Sequence, residues 1–263
     1  MFALLRACVV LPLMLAAPAM AQVAELRVCY EEKDTHDHTG EGAAVPDNPG
    51  VLVELVSMVQ LRVPNLRISF LRRPWVRCLI ELEVGRVDAV FSSSFKPERL
   101  KMGVYPMRDG KDDRRYRIDS KFYSLYKLVE APLEWDGTLF TNGVQTVLAM
   151  RGYAIVDDLK KMGMPVTEVT SSEGAFRMLL AGRADGFAQL SDVGDYILKK
   201  NADFARIVKV TPPITTKDYY LQLSHQFHGS HPELAQKIWK ALGELRQSET
   251  ERLVAKYLKL YAE

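Results

Sequence analysis

The strongest constraint on the fold is a five-element series of apolar segments that occurs twice. In the first copy, periodicity predicts strands over residues 26–30, 66–71 and 87–91, with helices over 49–63 and 75–84 between them. The second copy predicts strands over residues 145–150, 165–170 and 184–188, with helices over 153–162 and 173–181. Such a repeat indicates two α/β units that follow one another along the chain.

The two copies also share residues where the last helix passes into the last strand. Residues 85–89 read GRVDA, and residues 182–186 read GRADG. In both, a glycine ends the helix, where a left-handed backbone costs least. Alternating strands and helices predict parallel sheets, and ligands of such sheets bind beyond the carboxyl ends of the strands. We therefore expect the loops after the strands of both units to line one cleft.

The N-terminal residues 1–21 predict a secretory signal peptide. Arg6 precedes the apolar residues 7–17, and Ala19 and Ala21 are the small residues that a signal peptidase reads. The apolar run is shorter than the roughly 20 residues that a membrane-spanning helix needs. We expect cleavage after Ala21 and a mature protein in the periplasm.

The expected export makes a disulfide possible. Cys8 lies in the predicted signal, which leaves Cys29 and Cys78 in the mature chain. Disulfides persist outside the cytoplasm, so these two cysteines can pair, and the alternative is two separate buried thiols. The cysteines and histidines do not have the spacing of a structural zinc site.

The charge balance argues against a nucleic-acid partner. The sequence has 35 Lys and Arg against 33 Asp and Glu, for a net charge of +2, and it contains no run of basic residues. A phosphate-binding surface would need such a concentration of positive charge.

Three segments carry a resemblance to a known family. The first runs from Trp75 to Arg99, with SSS at residues 92–94 and PER at 97–99, and Tyr105-Pro106 follow it. The second is Gly152-Tyr153, which opens a predicted helix, and the third covers residues 178–185. In order and spacing these segments resemble the periplasmic solute-binding proteins of type 2 architecture, family 3, which includes the polar amino acid receptors of ABC importers.

The resemblance implies an α/β fold of two lobes, the periplasmic binding protein type II fold. Each lobe is a mostly parallel sheet flanked by helices, and a two-strand hinge joins the lobes. Lobe 1 is expected over residues 23–124 plus 214–263, and lobe 2 over residues 125–213. Residues 122–129 and 207–210 are the expected crossing strands. Residues 232–261 are expected to form helices on lobe 1, with Trp239 in the core.

The function implied by the resemblance is capture of a small polar ligand, carrying a carboxylate, between the lobes. The protein would be a monomer without a cofactor, and it would deliver the ligand to an ABC permease. Two alternatives share the fold. One is a ligand-sensing or redox-accessory module, and the other is an enzyme similar to the cyclohexadienyl dehydratases, with Glu31, His36 and Asp192 as candidate groups. We expect a binding protein rather than an enzyme.

Arg99 is the first candidate for the ligand site. In the family, the matching arginine holds the ligand's carboxylate through two parallel hydrogen bonds, a geometry that suits the planar guanidinium. Ser92, Ser93 and Ser94 can add hydroxyl and backbone donors, with Ser92 and Ser94 as the expected pair. The alternative is a solvated turn arginine beside a plain serine loop.

The remaining candidates come from both units. Trp75 matches a position where the family often places an aromatic against the ligand, although core packing is the alternative. Gly152 and Tyr153 lie at a predicted helix start, whose free N–H groups suit an anion, unless they form an ordinary cap.

Two departures from the family pattern concern the ligand. Members that bind α-amino acids usually carry an aspartate for the ligand's ammonium where this sequence has Leu190, and Asp192 or Glu31 would have to replace it. The first loop, residues 31–38, reads EEKDTHDH. Its histidines and carboxylates could bind a metal ion, and the alternative is a solvated polar loop.

Overall fold

The structure is a computed structural model that describes residues 23–34, 37–143 and 146–262. The predicted signal peptide and His36 lie outside these residues. The first series forms β1 (Ala24–Glu31), α1 (Val51–Ser57), α2 (Val59–Arg62), β2 (Leu66–Arg73), α3 (Trp75–Glu83) and β3 (Ala89–Ser94). The helix predicted over residues 49–63 is therefore divided at Met58 into two shorter helices.

The second series follows a long strand, β4 (Asp119–Leu128). It forms β5 (Val147–Met150), α4 (Ile155–Lys161), β6 (Val166–Val169), α5 (Ser172–Leu180) and β7 (Gly186–Leu190). The chain continues through α6 (Ser191–Lys200), β8 (Ile207–Lys209), β9 (Thr215–Leu223), α7 (His225–Ser230) and α8 (Pro232–Ala262). Short 3-10 helices occupy Pro97–Lys101, Arg114–Tyr116 and Ala202–Phe204, and two small hairpins pair Met107–Arg108 with Lys111–Asp112 and Glu134–Trp135 with Phe140–Thr141.

The nine labelled strands form one mixed sheet. Their order is β6-β5-β7-β4-β9-β3-β1-β2, and β8 pairs with β4. Strands β1, β2 and β3 are parallel, as are β5, β6 and β7. The antiparallel strands β4 and β9 pair with each other and join these two parallel groups. The two α/β units are thus present as predicted, and their sheets are continuous through the crossing strands β4 and β9. The expectation that residues 207–210 form the second crossing strand is wrong, because β9, and not β8, pairs with both β4 and β3.

The C-terminal segment forms one helix, α8, where we expected more than one. Its apolar side packs against the core, and Ile238, Trp239 and Leu242 are fully or almost fully buried. The indole Nε1 of Trp239 donates to the carbonyl of Leu221 at 2.8 Å. The burial of Trp239 confirms it as a core residue, and the hydrogen bond satisfies its indole N–H away from water.

A disulfide joins the first strand to the third helix. Cys29 in β1 and Cys78 in α3 are bonded, their Cα atoms are 5.5 Å apart, and both side chains are fully buried. The expected pairing is therefore confirmed. Within the described residues, we find no helix with the combined length and apolarity needed to span a membrane.

Candidate functional site

A cavity of about 540 Å³, its open mouth included, lies where the two parallel groups of strands face each other. Its walls include the carboxyl ends of β1 and β3, the first residue of α3, and the crossing strands β4 and β9. This is the position that the strand order predicts for a ligand. Six aromatic side chains line the cavity: Tyr30, Trp75, Phe91, Tyr123, Tyr153 and Tyr219.

Ser92 lines the cavity at an irregularity in β3. The register between β3 and β9 shifts because Phe91 and Ser92 together lie opposite the single residue Leu221. At this bulge Ser92 has a φ of 54°, a left-handed conformation that is rare for serine. Its hydroxyl oxygen is buried and has no hydrogen-bond partner. The serines lie within β3 and not in a loop after it.

Arg99 also lines the cavity, from the 3-10 helix Pro97–Lys101. It is 2% exposed, so the alternative of a solvated turn arginine is wrong. Its Nη1 donates to the carbonyl and hydroxyl oxygens of Ser94 at 2.8 and 3.1 Å, and its Nη2 donates to the carbonyl of Gly152 at 2.9 Å. The Nε atom is buried without a partner. Ser94 thus holds Arg99 in place, whereas Nε remains available to an acceptor.

Trp75 is packed in the core and also borders the cavity. Its side chain is 7% exposed and packs in a core cluster that includes Cys29 and Cys78, yet it also borders the cavity. The Arg99 guanidinium carbon lies 5.5 Å from the centre of a Trp75 ring. This cation–π arrangement restricts the orientation of both side chains.

Gly152 and Tyr153 do not open a helix, because α4 begins at Ile155. The expectation of free N–H groups at a helix start is therefore wrong for this pair. Gly152 instead presents its carbonyl to the first series, where Arg99 and the Trp75 Nε1 donate to it at 2.9 and 3.3 Å. The N–H of Tyr153 is already bonded to the carbonyl of Met150.

Glu31 reaches the cavity from the end of β1. The hydroxyl of Tyr153 donates to its Oε2 at 2.7 Å, and the Lys33 ammonium lies 3.6 Å from its Oε1. Burial raises the pKa of Glu31, although Lys33 and the Tyr153 hydrogen bond oppose that rise. Glu31 and Tyr153 therefore form a contact across the cavity.

Solved structures share this arrangement of strands around a cleft. A histidine kinase sensor domain with similarity to periplasmic binding proteins superposes with a TM-score of 0.67 at 19% identity, covering 89% of this chain and 95% of that one. An ancestral arginine-binding protein bound to arginine superposes with a TM-score of 0.66 at 18% identity, covering 89% of this chain and 97% of that one. The GluR0 ligand-binding core from Nostoc punctiforme, in complex with glutamate, superposes with a TM-score of 0.63 at 16% identity. The match covers 87% of this chain and 96% of that one.

The chain has the periplasmic binding protein fold. The fold that the sequence resemblance implied is thereby confirmed. No family model matches the chain, and no curated protein matches it in sequence.

The lobes of this binding-protein fold are in contact across the cleft. Besides the Arg99–Gly152 and Tyr153–Glu31 hydrogen bonds, the Lys33 ammonium donates to the carbonyl of Thr170 at 2.7 Å. On the other side, Lys217 in β9 lies 2.6 Å from Asp158 in α4. The two sides of the cleft are therefore in contact in this structure, and the cavity walls come from both lobes.

Asp192 does not line the cavity and instead binds a lysine that our sequence analysis missed. Lys121 on β4 donates to Asp192 at 2.9 Å and also forms an ion pair with Asp37. Lys121 and Asp37 line the cavity, as does the apolar Leu190. The available signal was alternation along β4, which places residues 121, 123 and 125 inward while Phe122 is exposed.

The first loop is described only in part, and its candidate metal ligand His36 lies outside the described residues. Across residues 23–34, 37–143 and 146–262, no group of three or more His, Cys, Asp and Glu side chains could hold a metal ion. His38 is buried and stacks near Tyr30, with the two ring centres 5.5 Å apart. Burial lowers the pKa of His38 to about 4, so its imidazole is neutral at pH 7.

Proposed function

We propose that the chain is a periplasmic solute-binding protein that captures a small carboxylate-bearing ligand between its lobes. The observation that carries this proposal is that the Arg99 Nε and the Ser92 hydroxyl, both buried and without partners, belong to residues of one interlobe cavity. Buried polar atoms nearly always have partners in native proteins. A carboxylate in the cleft would supply acceptors for both, with a charge-assisted bond to the guanidinium.

The proposal is tested by a ligand screen followed by substitution of Arg99. A thermal-shift screen of carboxylates and amino acids identifies a binder, because a ligand of the folded state raises the melting temperature. Calorimetry then compares the wild type with Arg99→Ala. Truncating one partner of a buried charge pair costs about 2 to 5 kcal/mol, so we expect a loss of affinity of roughly thirtyfold to several thousandfold.

Two further variants make this measurement specific. Arg99→Lys should recover only part of the affinity, since an ammonium keeps the charge but not the planar geometry. Arg27→Ala removes an arginine that pairs with Asp88 away from the cavity, and it should bind as the wild type does. Arg99→Ala affinity within about a factor of three of wild type, below roughly 0.7 kcal/mol, would contradict the proposed site.

The wider assignment includes lobe boundaries, location and partner. We propose lobe 1 over residues 23–124 plus 214–263, lobe 2 over residues 125–213, and a monomer that serves an ABC permease. The signal-like residues 1–21 and the disulfide support export. One similar structure is the substrate-binding protein of an amino acid ABC transporter, at 16% identity with a TM-score of 0.65. Uptake of the labelled ligand should fall in cells that lack the protein.

A sensing role is the second candidate, and a specific similarity favours it. The histidine kinase sensor domain described above has the same fold. If the protein serves a sensor, cells that lack it should take up the ligand normally but lose their transcriptional response to it. The two cellular measurements therefore separate transport from sensing.

A further inference from the structure

The feature that points beyond the proposed function is the buried ammonium of Lys121 at the wall of the cavity. The Lys121 side chain is 5% exposed, and its Nζ pairs with Asp37 of the first loop and Asp192 of α6. Asp119 lies 3.5 Å away on the same strand. Burial alone would lower the pKa of Lys121, but the three carboxylates together raise it. The protein therefore places a permanent cation of its own beside the ligand space.

This cation changes what the nearby carboxylates can bind. A ligand ammonium would need a carboxylate in the cavity, and Glu31 and Asp37 are the two acidic residues that line it. Asp37 is paired with Lys121, while Glu31 accepts from Tyr153 and lies near Lys33. The neighbouring Leu190 offers no acceptor side chain. A ligand ammonium would have to compete for these carboxylates with Lys121 and Lys33, which already lie beside them.

The remaining walls suit a flat apolar body. Six aromatic side chains surround the cavity, and Tyr30, Phe91, Tyr123 and Tyr219 are at most 4% exposed. Rings of this kind contact another ring by offset stacking or by edge-to-face packing. The Tyr30 hydroxyl is a further buried atom without a partner. A planar ligand with one carboxylate therefore matches the lining better than a flexible polar amino acid does.

We infer that the ligand is an aromatic carboxylate without an ammonium group, because Lys121 already fills the cationic role beside the cavity. This inference rests on the proposed function, since it specifies the ligand of the same cleft.

The test uses pairs of compounds that differ only in the ammonium group. We would measure 3-phenylpropanoate against L-phenylalanine, and glutarate against L-glutamate, by calorimetry on the mature protein. We expect 3-phenylpropanoate to bind at least about tenfold more tightly than L-phenylalanine, and more tightly than glutarate, because a desolvated and unpaired ammonium is strongly disfavoured. Tighter binding of either amino acid than of its deaminated partner would overturn the inference.

The second measurement repeats the comparison in Lys121→Met. Removing the ammonium leaves the cavity residue Asp37 without its lysine partner and open to a ligand cation, so the preference for 3-phenylpropanoate should fall to below about threefold. Lys217→Met is the matched control. Like Lys121, Lys217 pairs with an aspartate of lobe 2. Lys217 lies on β9, however, and does not border the cavity. Lys217→Met should weaken both compounds by the same factor and keep their ratio.

The outcomes separate the inference from the function on which it rests. Preferential binding of L-phenylalanine or L-glutamate, lost in Arg99→Ala, overturns the inference and supports a carboxylate-binding protein. Absence of binding by all four compounds overturns the inference alone, because the ligand screen and Arg99→Ala decide the proposed function. If Lys121→Met does not fold, the ratio of the wild-type affinities for 3-phenylpropanoate and L-phenylalanine decides the inference.

Discussion

At the scale of single residues, the cavity wall combines buried groups that have no charge with charged groups that are paired inside the protein. His38 belongs to the first kind. It packs between aromatic rings, 5.5 Å from Tyr30 and 6.4 Å from Phe91, measured between ring centres. A histidine in such surroundings resists protonation, because its charged form would lose hydration.

Acidification should therefore destabilise the protein partly through His38. Its pKa of about 4 in the folded state lies below the value of 6.5 for an unperturbed histidine, so the unfolded chain binds more protons between these values. The stabilisation from the neutral ring is complete above pH 6.5 and is lost as the pH falls towards 4. Over that window the loss amounts to as much as about 3 kcal/mol.

Urea unfolding at several pH values checks this prediction. His38→Gln should be less stable than wild type at pH 7.5 but should lose less stability between pH 7 and 4.5. The same substitution at the exposed His225 should leave the wild-type slope unchanged. Equal slopes for His38→Gln and wild type would show that another group causes the acid sensitivity.

At the scale of elements, the disulfide joins two segments that both carry cavity residues. Cys29 directly precedes Tyr30 and Glu31 on β1, and Cys78 lies one turn after Trp75 in α3. The bond therefore fixes the spacing between the strand end and the helix start at the mouth of the cavity. Because α3 has only nine residues, it depends on such tertiary attachment.

Reduction of the disulfide should lower the free energy of unfolding. The bond closes a loop with a sequence separation of 49, for which the chain-entropy model gives about 4 kcal/mol as an upper value. Urea unfolding with and without reductant measures this difference. In the double variant with Cys29→Ala and Cys78→Ala, reductant should have no effect. Two free thiols in the unreduced, denatured mature protein would contradict the disulfide itself.

At the scale of the whole molecule, closure brings Gly152 of lobe 2 against α3 of lobe 1. A Cβ built on Gly152 would lie 2.9 Å from Val76 Cγ2 and 3.4 Å from Trp75 Cδ1. Its φ of 78° also favours glycine. Hence the two lobes approach this closely only because residue 152 has no side chain.

Gly152→Ala should therefore favour the open form and weaken ligand binding. Overpacking of this kind costs roughly 1 to 3 kcal/mol, which corresponds to about five- to over a hundredfold in affinity. Gly163→Ala is the matched control, because Gly163 has nearly the same φ, 77°, with nothing within 4 Å of its Cβ position. The affinity of Gly163→Ala measures the effect of alanine at a positive φ without a new contact between the lobes.

Small-angle scattering provides the structural measurement. The wild type should contract on binding ligand, whereas Gly152→Ala should keep a larger radius of gyration at the same ligand concentration. Gly163→Ala should contract as the wild type does. An unchanged radius of the wild type at saturation would argue against a closing cleft.

The sequence alone predicted the two α/β series, a pair of cysteines able to form a disulfide, and most of the segments that reach the cleft, including those with Trp75, Ser92 and Arg99. The series and the cleft segments follow from local periodicity and from the connection rules of parallel strands, which involve near neighbours in the chain. The cysteine pair follows instead from the two cysteines that remain after the predicted signal peptide. The cavity contacts of Lys121 were decided by the tertiary structure alone. Its partners Asp37 and Asp192 are 84 and 71 residues away, and nothing local selects one carboxylate over another. The same reason explains why the carbonyl of Gly152 faces Arg99, 53 residues away, when a free helix start was expected there. Pairing of polar groups inside the cleft depends on how the two lobes pack against each other. This packing involves residues that are far apart in the sequence.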